Sequence, residues 1–391
     1  MIIKSGLEVL RQNGYKPLHG LRVGLLTNPS AVDRDLQSAY YVLSNEPNVN
    51  LVALFAPEHG FTGAVPDSLK IENRKDPLTG LPIYSLYGES YKPASEILEN
   101  LDVIVCDIQD IGVRYYTFVW TISHVLEAAA EHDVTVVLLD RPNPLGGKKV
   151  YGPCLEDEFS SLVGRYSVPV LHGLTLGELT WMINETFNPR LARLSIIPCE
   201  HWERDMTWGK TNLPWVPPSP NIPHLNTLQH YSGACFVEGT NLSEGRGTTL
   251  PFEIVGAPWV DGLKLAHHLN AQDWCHIYGT RFRPITFKPT DSKYANEFCE
   301  GVQVYIMDKQ QWQPIKTWLN IIAIIYEMFT DDFQWLPANA KTGISHFDRL
   351  AGSRKIRQAI EDGTPISRLV PEWLIDSEEF RRNRRPFLLY E

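Results

Sequence analysis

The 391-residue chain lacks the features that mark several common protein classes. It carries 36 Lys and Arg against 46 Asp and Glu, so the net charge is −10 and nothing favours a nucleic-acid partner. Its six cysteines include no Cys-x-x-Cys pair, which argues against zinc or dithiol redox sites. The N-terminal segment lacks a signal peptide's apolar core, and no apolar run approaches the roughly 20 residues of a membrane span. We therefore expect a reduced, cytoplasmic protein without a membrane partner.

Chain length predicts two domains. Apolar residues make up 43% of the chain, which is enough to fill two cores. The segment 214–223 contains five prolines and predicts neither helix nor strand. We place the boundary just after it, which gives an N-terminal domain over residues 1–226 and a smaller α/β C-terminal domain over residues 227–391.

Apolar strands that alternate with helices predict a parallel sheet in the first domain. The predicted strands cover residues 21–27, 51–55, 81–86, 102–108, 134–139 and 194–198. A helix is predicted over Thr121–Glu131 by its apolar i, i+3, i+4, i+7 pattern, and another begins at a Thr175–Glu178 capping box. This is an α/β, doubly wound, Rossmann-like arrangement. No Gly-x-Gly-x-x-Gly follows the first strand, so we expect no dinucleotide and no other cofactor.

Polar side chains follow four of the predicted strands, where a parallel sheet would bring them to one edge. They are Asn28, then Glu58 and His59, then Asp107, Asp110, Arg114 and Tyr116, and finally Asp140, Arg141 and Asn143. Ligands of open α/β sheets bind at this edge. Carboxylates, an imidazole, arginines and aromatic rings together suit a carbohydrate.

A second polar cluster lies in the C-terminal domain, in the loop 236–249. It carries the charged residues Glu238, Glu244 and Arg246, together with Asn241 and three glycines. A solvated hairpin loop is the alternative interpretation. Because loops that combine glycine with charge are frequent ligand contacts, we predict that this loop and Asn221 of the proline-rich segment bind substrate.

Three other kinds of site are weaker interpretations. Glu58, His59, Asp107 and Asp140 could together ligate a cation, but no His-x-x-x-His or equivalent spacing supports this, and we expect no metal. A serine nucleophile lacks its Gly-x-Ser-x-Gly elbow. Cys106 lies inside an apolar strand and is predicted to be an inert core thiol.

Long motifs along the chain resemble the NamZ family of exo-β-N-acetylmuramidases. They include Leu-Thr-Asn-Pro at 26–29, Pro-Glu-His-Gly at 57–60, the segment 107–117, Leu-Asp-Arg-Pro-Asn-Pro at 139–144, His-Gly at 172–173, Pro-Ser-Pro-Asn at 218–221 and the segment 238–249. The resemblance implies a Rossmann-like N-terminal domain, a smaller C-terminal domain and an active site in the cleft between them. It also implies release of N-acetylmuramic acid from the non-reducing end of peptidoglycan-derived saccharides, with Glu58 as the catalytic carboxylate.

The leading hypothesis is therefore a glycoside hydrolase acting on N-acetylmuramic acid glycosides. Glycosidic cleavage usually needs one carboxyl that protonates the leaving oxygen and a second group that attacks or activates water. We assign Glu58 as the general acid, and His59 as a residue that orients it or binds substrate. The second group stays open between Asp110, Glu244, Asp107 and the substrate's own acetamido group.

Muramic acid carries a lactyl carboxylate, which needs a cationic partner in an acidic protein. Arg114, Arg141 and Arg246 can supply one, since arginine pairs with carboxylates through two hydrogen bonds. The rival hypothesis, from another functional class, is a non-catalytic binder of muropeptides or sugars. A binding protein and a hydrolase need similar polar residues around the sugar, so the sequence does not distinguish the two hypotheses. It carries no signal for the oligomeric state.

Overall fold

A computed structural model of the chain describes residues 2–64, 73–88 and 90–391. The fold divides into two compact units. Unit 1 comprises residues 1–150, 171–223 and 380–391, and unit 2 comprises residues 151–170 and 224–379. The sequence-based division at residue 226 treats each domain as continuous. In the structure, the segment 151–170 instead belongs to unit 2 and the last twelve residues belong to unit 1.

The elements are numbered in chain order over the described residues. The strands are β1 Arg22–Thr27, β2 Asn50–Ala56, β3 Arg74–Lys75, β4 Pro82–Ser85, β5 Val103–Asp107, β6 Thr135–Leu139, β7 Tyr151–Cys154, β8 Pro169–Leu171, β9 Leu194–Ile197, β10 Ile254–Ala257, β11 Thr280–Phe287 and β12 Cys299–Ile306. The helices are α1 Gly6–Gln12, α2 Ala39–Ser44, α3 Ser95–Leu98, α4 Phe118–Glu131, α5 Leu176–Thr186, α6 Leu225–Ala234, α7 Gly262–Asn270, α8 Asp273–Ile277, α9 Pro314–Met328, α10 His346–Ala351, α11 Lys355–Glu361 and α12 Val370–Asn383.

The sheet of unit 1 confirms the predicted doubly wound architecture. Its strands lie in the order β3-β4-β2-β1-β5-β6-β9 among the described residues, and all neighbours are parallel except the short β3, which is antiparallel to β4. The central strands are almost wholly buried because helices cover both faces, which explains why their sequences are apolar throughout.

The order of the strands reverses between β1 and β5. The chain proceeds from β1 to β2 and β4 on one side, then returns to place β5 against the other side of β1. Their last residues, Thr27 and Asp107, are direct partners in the register. In doubly wound sheets the crevice at such a switch point, beyond the carboxyl ends of the strands, is the usual ligand site.

Local signals set the start of the helices in unit 1. The predicted capping box of α5 is confirmed, with Thr175 Oγ1 accepting from the Glu178 amide at 3.2 Å and a Glu178 carboxylate oxygen accepting from the Thr175 amide at 3.0 Å. Helix α4 begins at Phe118, three residues before the predicted start. It is buried on most of its faces, so tertiary packing extends it beyond its amphipathic pattern.

The core of unit 1 packs apolar side chains of α1 and α2 against β1, β2 and β5. Cys106 lies inside this sheet, and burial raises the pKa of its thiol well above the ordinary value, as expected for an inert core cysteine. All six cysteines are free thiols.

Unit 2 contains an antiparallel sheet, β10-β12-β11, and several helices. Helix α9 packs against α6 and buries an Ile-rich face around Trp318. The sequence pattern predicts a strand over residues 301–307 and helices over residues 313–329 and 355–361. Strand β12 and helices α9 and α11 begin and end within two residues of these positions. In the part of the chain that the structure describes, no helix is both long and apolar enough to span a bilayer.

Candidate active site

Glu58 and His59 sit in a tight turn directly after β2. Pro57 ends the strand, and its carbonyl accepts a hydrogen bond from the Gly60 amide at 3.0 Å, which closes the turn. His59 is held in a left-handed conformation with φ of 68°. A side chain in this region is uncommon outside glycine, and such local strain concentrates at functional sites. The turn leaves Glu58 half-buried and His59 buried.

The Glu58 carboxylate contacts the loop that follows β5. Thr117 donates its hydroxyl hydrogen to Glu58 Oε2 over an O···O distance of 2.6 Å. Among the described residues, no side chain or backbone group forms a hydrogen bond with Oε1. One oxygen of Glu58 is therefore positioned by the protein, and the other has no hydrogen-bond partner within the described part of the chain.

Asp110 lies in the loop after β5 and is buried. Its Oδ1 accepts from the Gly112 amide at 2.7 Å, an Asx turn that Gly112 completes with φ of 78°. Oδ2 is also buried and has no hydrogen-bond partner among the described residues. Burial raises the pKa of Asp110 to about 7, although backbone amides of Gly112 and Ile111 act to lower it. A carboxyl with such a pKa can exchange a proton near neutrality.

Asp107, the last residue of β5, and Arg141, which follows β6, form a buried ion pair. The guanidinium donates from Nε to Oδ1 at 2.5 Å and from Nη2 to Oδ2 at 2.9 Å, while Nη1 donates to the Val32 carbonyl at 2.8 Å. Burial acts to lower the pKa of Arg141, but the charge and hydrogen bonds of Asp107 raise it overall. The pair is a neutral unit at the rim of the sheet.

Asn28 and Asn143 brace neighbouring loops. Asn28 Oδ1 accepts from the Ser30 amide and hydroxyl at 3.1 and 2.5 Å, and its Nδ2 donates to the Pro218 carbonyl at 3.3 Å. Asn143 Nδ2 donates to the Leu174 carbonyl at 2.9 Å, and its Oδ1 accepts from Leu145. Each amide makes hydrogen bonds to the protein through both its oxygen and its nitrogen, and these contacts hold the loops together.

Three further predicted residues belong to unit 1. Arg114 is fully buried, and its carbonyl accepts from Trp120 Nε1 at 2.7 Å. The Tyr116 ring is buried edge-to-face against Phe118, with centroids 4.8 Å apart. Asn221 is half-buried at the end of the proline-rich segment.

Asp140 is the centre of a buried network rather than a ligand-facing group. Its Oδ2 accepts from the Thr175 and Tyr390 hydroxyls, each at 2.6 Å, and its Oδ1 accepts from the Gly177 amide at 2.8 Å. Burial raises the pKa of Asp140 to about 6 despite these donors. The network joins the end of β6, the start of α5 and the C-terminal segment.

The polar loop of unit 2 forms a charge cluster. Arg246 donates from Nη2 to Glu238 at 2.8 Å and pairs through Nε with Glu244 at 3.1 Å, and its guanidinium lies 5.1 Å from the centroid of the Phe252 ring. Lys293 donates to the other oxygen of Glu244 at 2.9 Å. Two carboxylates thus balance two cations.

His346 approaches this cluster from α10, with Nε2 3.5 Å from Glu238. Burial acts to raise the pKa of Glu238, yet Arg246 and His346 together hold it well below its ordinary value. Asn241, by contrast, donates to the Asp332 carbonyl at 2.8 Å and accepts from the Gln334 amide at 2.9 Å. Its contacts fasten the loop to a neighbouring segment.

The predicted site residues thus form two groups, one in each unit. The carboxyl ends of the unit 1 strands bring together Glu58 and the residues after β1, β5 and β6, and the 238–246 loop of unit 2 gathers its own cluster. Within residues 2–64, 73–88 and 90–391, no three His, Cys, Asp or Glu side chains are grouped so as to hold a metal ion.

Sequence reasoning missed several residues that shape these groups. Thr117 was within a recognised motif but had no assigned role, and its hydroxyl contacts Glu58. Lys293 lies in no recognised motif. It contacts Glu244, from which it is separated by about 50 residues in sequence, so no local pattern indicates the pair. Gln109 and Trp208 line a pocket in unit 1 whose lining residues come from four separate segments.

The chain belongs to the NamZ family of exo-β-N-acetylmuramidases. Residues 23–226 match the description "Exo-beta-N-acetylmuramidase NamZ, N-terminal", and residues 229–390 match the corresponding C-terminal description. The match covers nearly the whole chain and both groups of site residues.

Relatives of known name or structure agree with this assignment. The chain is 39% identical over 388 residues to the peptidoglycan β-N-acetylmuramidase NamZ of Bacillus subtilis (strain 168), covering 99% of this chain and 91% of that protein. Two crystal structures of DUF1343 family proteins from Bacteroides fragilis NCTC 9343 are similar over 100% of this chain and 99% of theirs. Their TM-scores are 0.89 and 0.75, at 38% and 30% identity.

Proposed function

We propose that the chain is an exo-β-N-acetylmuramidase, a glycoside hydrolase that releases N-acetylmuramic acid from the non-reducing end of peptidoglycan-derived saccharides. The observation that carries this proposal is the 39% identity to the Bacillus subtilis muramidase over 99% of the chain, together with the family match in both domains. The polar rim at the carboxyl ends of β1, β2, β5 and β6 provides the carboxyl groups that the reaction needs.

Glu58 and Asp110 are the two catalytic carboxyls in this proposal. Glu58 has one oxygen fixed by Thr117 and one without a described partner, which suits a group that must reach a substrate atom. Asp110 has a buried, unpartnered oxygen and a pKa raised to about 7 by burial. A general acid must keep its proton at the working pH, and environments that raise a carboxyl pKa identify this role.

We therefore assign Asp110 to protonate the leaving oxygen and Glu58 to activate water or attack the sugar. The sequence-based assignment made Glu58 the general acid and left the second group open between Asp110, Glu244, Asp107 and the substrate's acetamido group. The proton balance is the same in either case: the acid gives its proton to the leaving oxygen as the C1–O bond breaks, and water supplies the hydroxyl at C1. The second proton of that water passes to the other carboxylate if this group activates water, or back to the acid if the other carboxylate has first formed a bond to C1. His59, next to Glu58 in a constrained turn, is assigned to positioning or substrate contact.

The remaining predicted residues are proposed to hold the substrate. Arg141 and Arg246 are each paired with carboxylates already, so a lactyl carboxylate would have to share a guanidinium with Asp107 or with Glu238 and Glu244. Glu244 is engaged by two cations, which supports a binding or structural role over a catalytic one. Asp107 is neutralised by Arg141 and is not retained as the second catalytic group.

A chromogenic N-acetylmuramide tests this proposal directly. The folded protein should release the chromophore with multiple turnovers, and Glu58→Gln should abolish most of that rate. Saturable binding of the muramide without any turnover by the wild-type protein would instead identify a non-catalytic sugar binder. The expected cytoplasmic location stays a prediction that fractionation of the source cells would check.

A further inference from the structure

Lys293 directs all three of its ammonium hydrogens into the polar loop of unit 2. Its Nζ donates to the Val237 carbonyl at 3.1 Å, to the Leu242 carbonyl at 2.7 Å and to Glu244 Oε2 at 2.9 Å. An ammonium group has three N–H donors, so these bonds fill its capacity. The side chain therefore ties together the start, the middle and the charged part of one loop.

The segment that carries Lys293 is itself constrained. It connects β11 to β12, and both neighbours of Lys293, Ser292 and Tyr294, have left-handed backbone conformations with φ of 66° and 57°. Side chains other than glycine rarely adopt this region, and such strain persists only where surrounding contacts enforce it. Thr290 makes two of these contacts, because its amide and its hydroxyl both donate to the Gly247 carbonyl at 2.9 Å. The ammonium thus reaches the loop from a fixed backbone.

Glu244 links Lys293 to Arg246. Its Oε2 accepts from Lys293, and its Oε1 pairs with Arg246 Nε at 3.1 Å. Arg246 also donates from Nη2 to Glu238 at 2.8 Å. A carboxylate with both oxygens available pairs with arginine through two parallel hydrogen bonds. Without Lys293, Glu244 would engage the guanidinium with both oxygens and draw it away from Glu238. Lys293 therefore sets the direction in which the guanidinium points.

Exposure to solvent differs along this row of charges. The Glu244 side chain is 2% exposed, whereas those of Arg246 and Glu238 are 16% and 19% exposed. A ligand at this surface meets Arg246 and Glu238 before it meets Glu244. Because the donors of Lys293 are used within the loop, Lys293 acts on such a ligand through Arg246 and not by contact.

We propose that Lys293 is a positioning residue for substrate binding, an inference that rests on the proposed function and on the substrate-holding role given there to Arg246. It holds the polar loop together and, through Glu244, directs the Arg246 guanidinium toward the saccharide. Bond cleavage is assigned to Glu58 and Asp110 of unit 1. Loss of Lys293 should therefore weaken binding and leave the chemical step unchanged.

The test measures kcat and KM for 4-nitrophenyl N-acetylmuramide in wild type and in Lys293→Met. KM should rise about tenfold, because a misdirected guanidinium loses about one charge-assisted hydrogen bond to the substrate, while kcat stays within about twofold. The inhibition constant of the product, N-acetylmuramic acid, should rise by the same factor, since it reports binding without chemistry. Arg246→Ala should raise both constants at least as much.

A double variant separates positioning from stability. In Lys293→Met the buried Glu244 carboxylate loses one of its two cations, whereas in Lys293→Met/Glu244→Gln a neutral amide replaces that carboxylate. The double variant should recover most of the thermal stability but keep the raised KM, because Glu238 is then the carboxylate left to orient Arg246. It also carries the test if the single variant does not fold.

Thr290→Val is the matched control. It removes a hydroxyl that fastens the same connection to the same loop, but the Thr290 amide still donates to the Gly247 carbonyl and no charge changes. The kcat, the KM and the inhibition constant should all stay within about twofold of wild type.

The inference is overturned, with the proposed function intact, if folded Lys293→Met keeps the wild-type KM or lowers kcat at unchanged KM. It is also overturned if the double variant regains the wild-type KM together with its stability, because Lys293 would then be a purely structural counter-charge. Failure of the folded wild type to cleave any muramide would instead contradict the proposed function itself.

Discussion

Thr117 donates its hydroxyl hydrogen to Glu58 Oε2 at 2.6 Å, and this bond joins two loops that leave neighbouring parts of the sheet. Glu58 follows β2, whereas Thr117 closes the loop after β5 and immediately precedes α4. The bond fixes the carboxylate from the side of a rigid buried helix. It makes Thr117 a positioning residue whose contribution can be measured separately from that of Glu58.

Replacing Thr117 by Val should keep the fold and lower kcat for the chromogenic muramide about tenfold. A hydrogen bond to a charged group contributes roughly 1.5–3 kcal/mol, and part of that positions the carboxylate for reaction. Thr117→Ser retains the hydroxyl and should keep most of the activity. Glu58→Gln should cost on the order of 10²–10⁴-fold. Equal rates for the Val and Ser variants would show that the bond does not matter for catalysis.

The proposed roles of Asp110 and Glu58 predict different responses to the leaving group. A 4-nitrophenol leaving group needs little protonation, whereas a sugar hydroxyl needs it strongly. Asp110→Asn should therefore lose far more rate on a disaccharide than on the nitrophenyl substrate, while Glu58→Gln should lose rate on both. If Glu58→Gln shows the selective loss instead, the roles are reversed and the assignment from sequence is correct.

The pH profile of kcat/KM independently tests the proposed role of Asp110 as general acid. A general acid must be protonated in the free enzyme, so activity should fall as pH rises through about 7, the pKa to which burial raises Asp110. In the Asp110→Asn variant, this fall in kcat/KM should disappear. If kcat/KM of the wild type instead rises as pH increases through about 7, Asp110 acts as a base.

Asp110 should also affect stability in a pH-dependent way. An unfolded Asp titrates near 3.9, and burial raises the folded value to about 7, so the folded protein binds the proton more tightly between these values. Its contribution to stability therefore falls as pH rises through this window. Asp110→Asn should be more stable than wild type at about pH 8.5, by up to roughly 4 kcal/mol, and lose most of this advantage at about pH 4.

Asp102 provides a control of opposite sign for this measurement. Its hydrogen bonds from Arg22 lower its pKa, so its stabilising contribution is present above the unfolded pKa and is lost as pH falls through the folded pKa. Asp102→Asn should therefore be less stable than wild type at about pH 8.5, with the difference shrinking in acid. Urea unfolding of both variants at each pH measures the effect, and the same direction for both would refute the argument.

Tyr390→Phe should destabilise unit 1 although Tyr390 lies far in sequence from Glu58 and Asp110, the proposed catalytic carboxyls. The hydroxyl donates to Asp140 at 2.6 Å and accepts from the Cys199 amide at 2.9 Å, and both partners are buried. Leaving buried groups unsatisfied costs about 1–3 kcal/mol each. Tyr41→Phe is the control, because Tyr41 is exposed. Equal urea midpoints for the two variants would contradict the prediction.

Lys293→Met should lower stability by roughly 3 kcal/mol, because it leaves Glu244 buried with only Arg246 to balance it. The Glu244 and Lys293 side chains are 2% and 21% exposed. Lys264→Met removes a pair whose side chains are 76% and 37% exposed, and it should change stability by less than about 1 kcal/mol. Similar losses in the two variants would mean that burial does not strengthen the Lys293 pair.

The sequence predicted the sheet of unit 1 well because its strands are uniformly apolar and bounded by helices. It was less informative about the antiparallel sheet of unit 2. Strand β11 carries Arg281, Arg283 and Pro284 and alternates only in part between buried and exposed residues, so its period-two pattern is weak. Strand β10 has only four residues and reads as a continuation of the glycine-rich loop before it.

At the candidate site, the sequence could place residues at one edge but could not predict their partners. The sequence placed Asp107 and Arg141 at the same edge of the sheet. That they form an ion pair depends on the register of β5 and β6, which the sequence does not show. The raised pKa of Asp110 arises from burial, which is a property of the assembled loops and not of the local sequence. The hydrogen bond between Tyr390 and Asp140 joins residues 250 positions apart, so no local sequence pattern predicts it.

That bond also bears on how the chain folds as it leaves the ribosome. Residues 380–391 belong to unit 1, but all of residues 224–379, most of unit 2, is synthesised before them. The nascent unit 1 must therefore wait, with Asp140, Glu178 and Arg204 lacking their C-terminal partners, while unit 2 is made. Domains usually fold in order from the N-terminus during synthesis. Here we expect unit 2 to complete its native structure first.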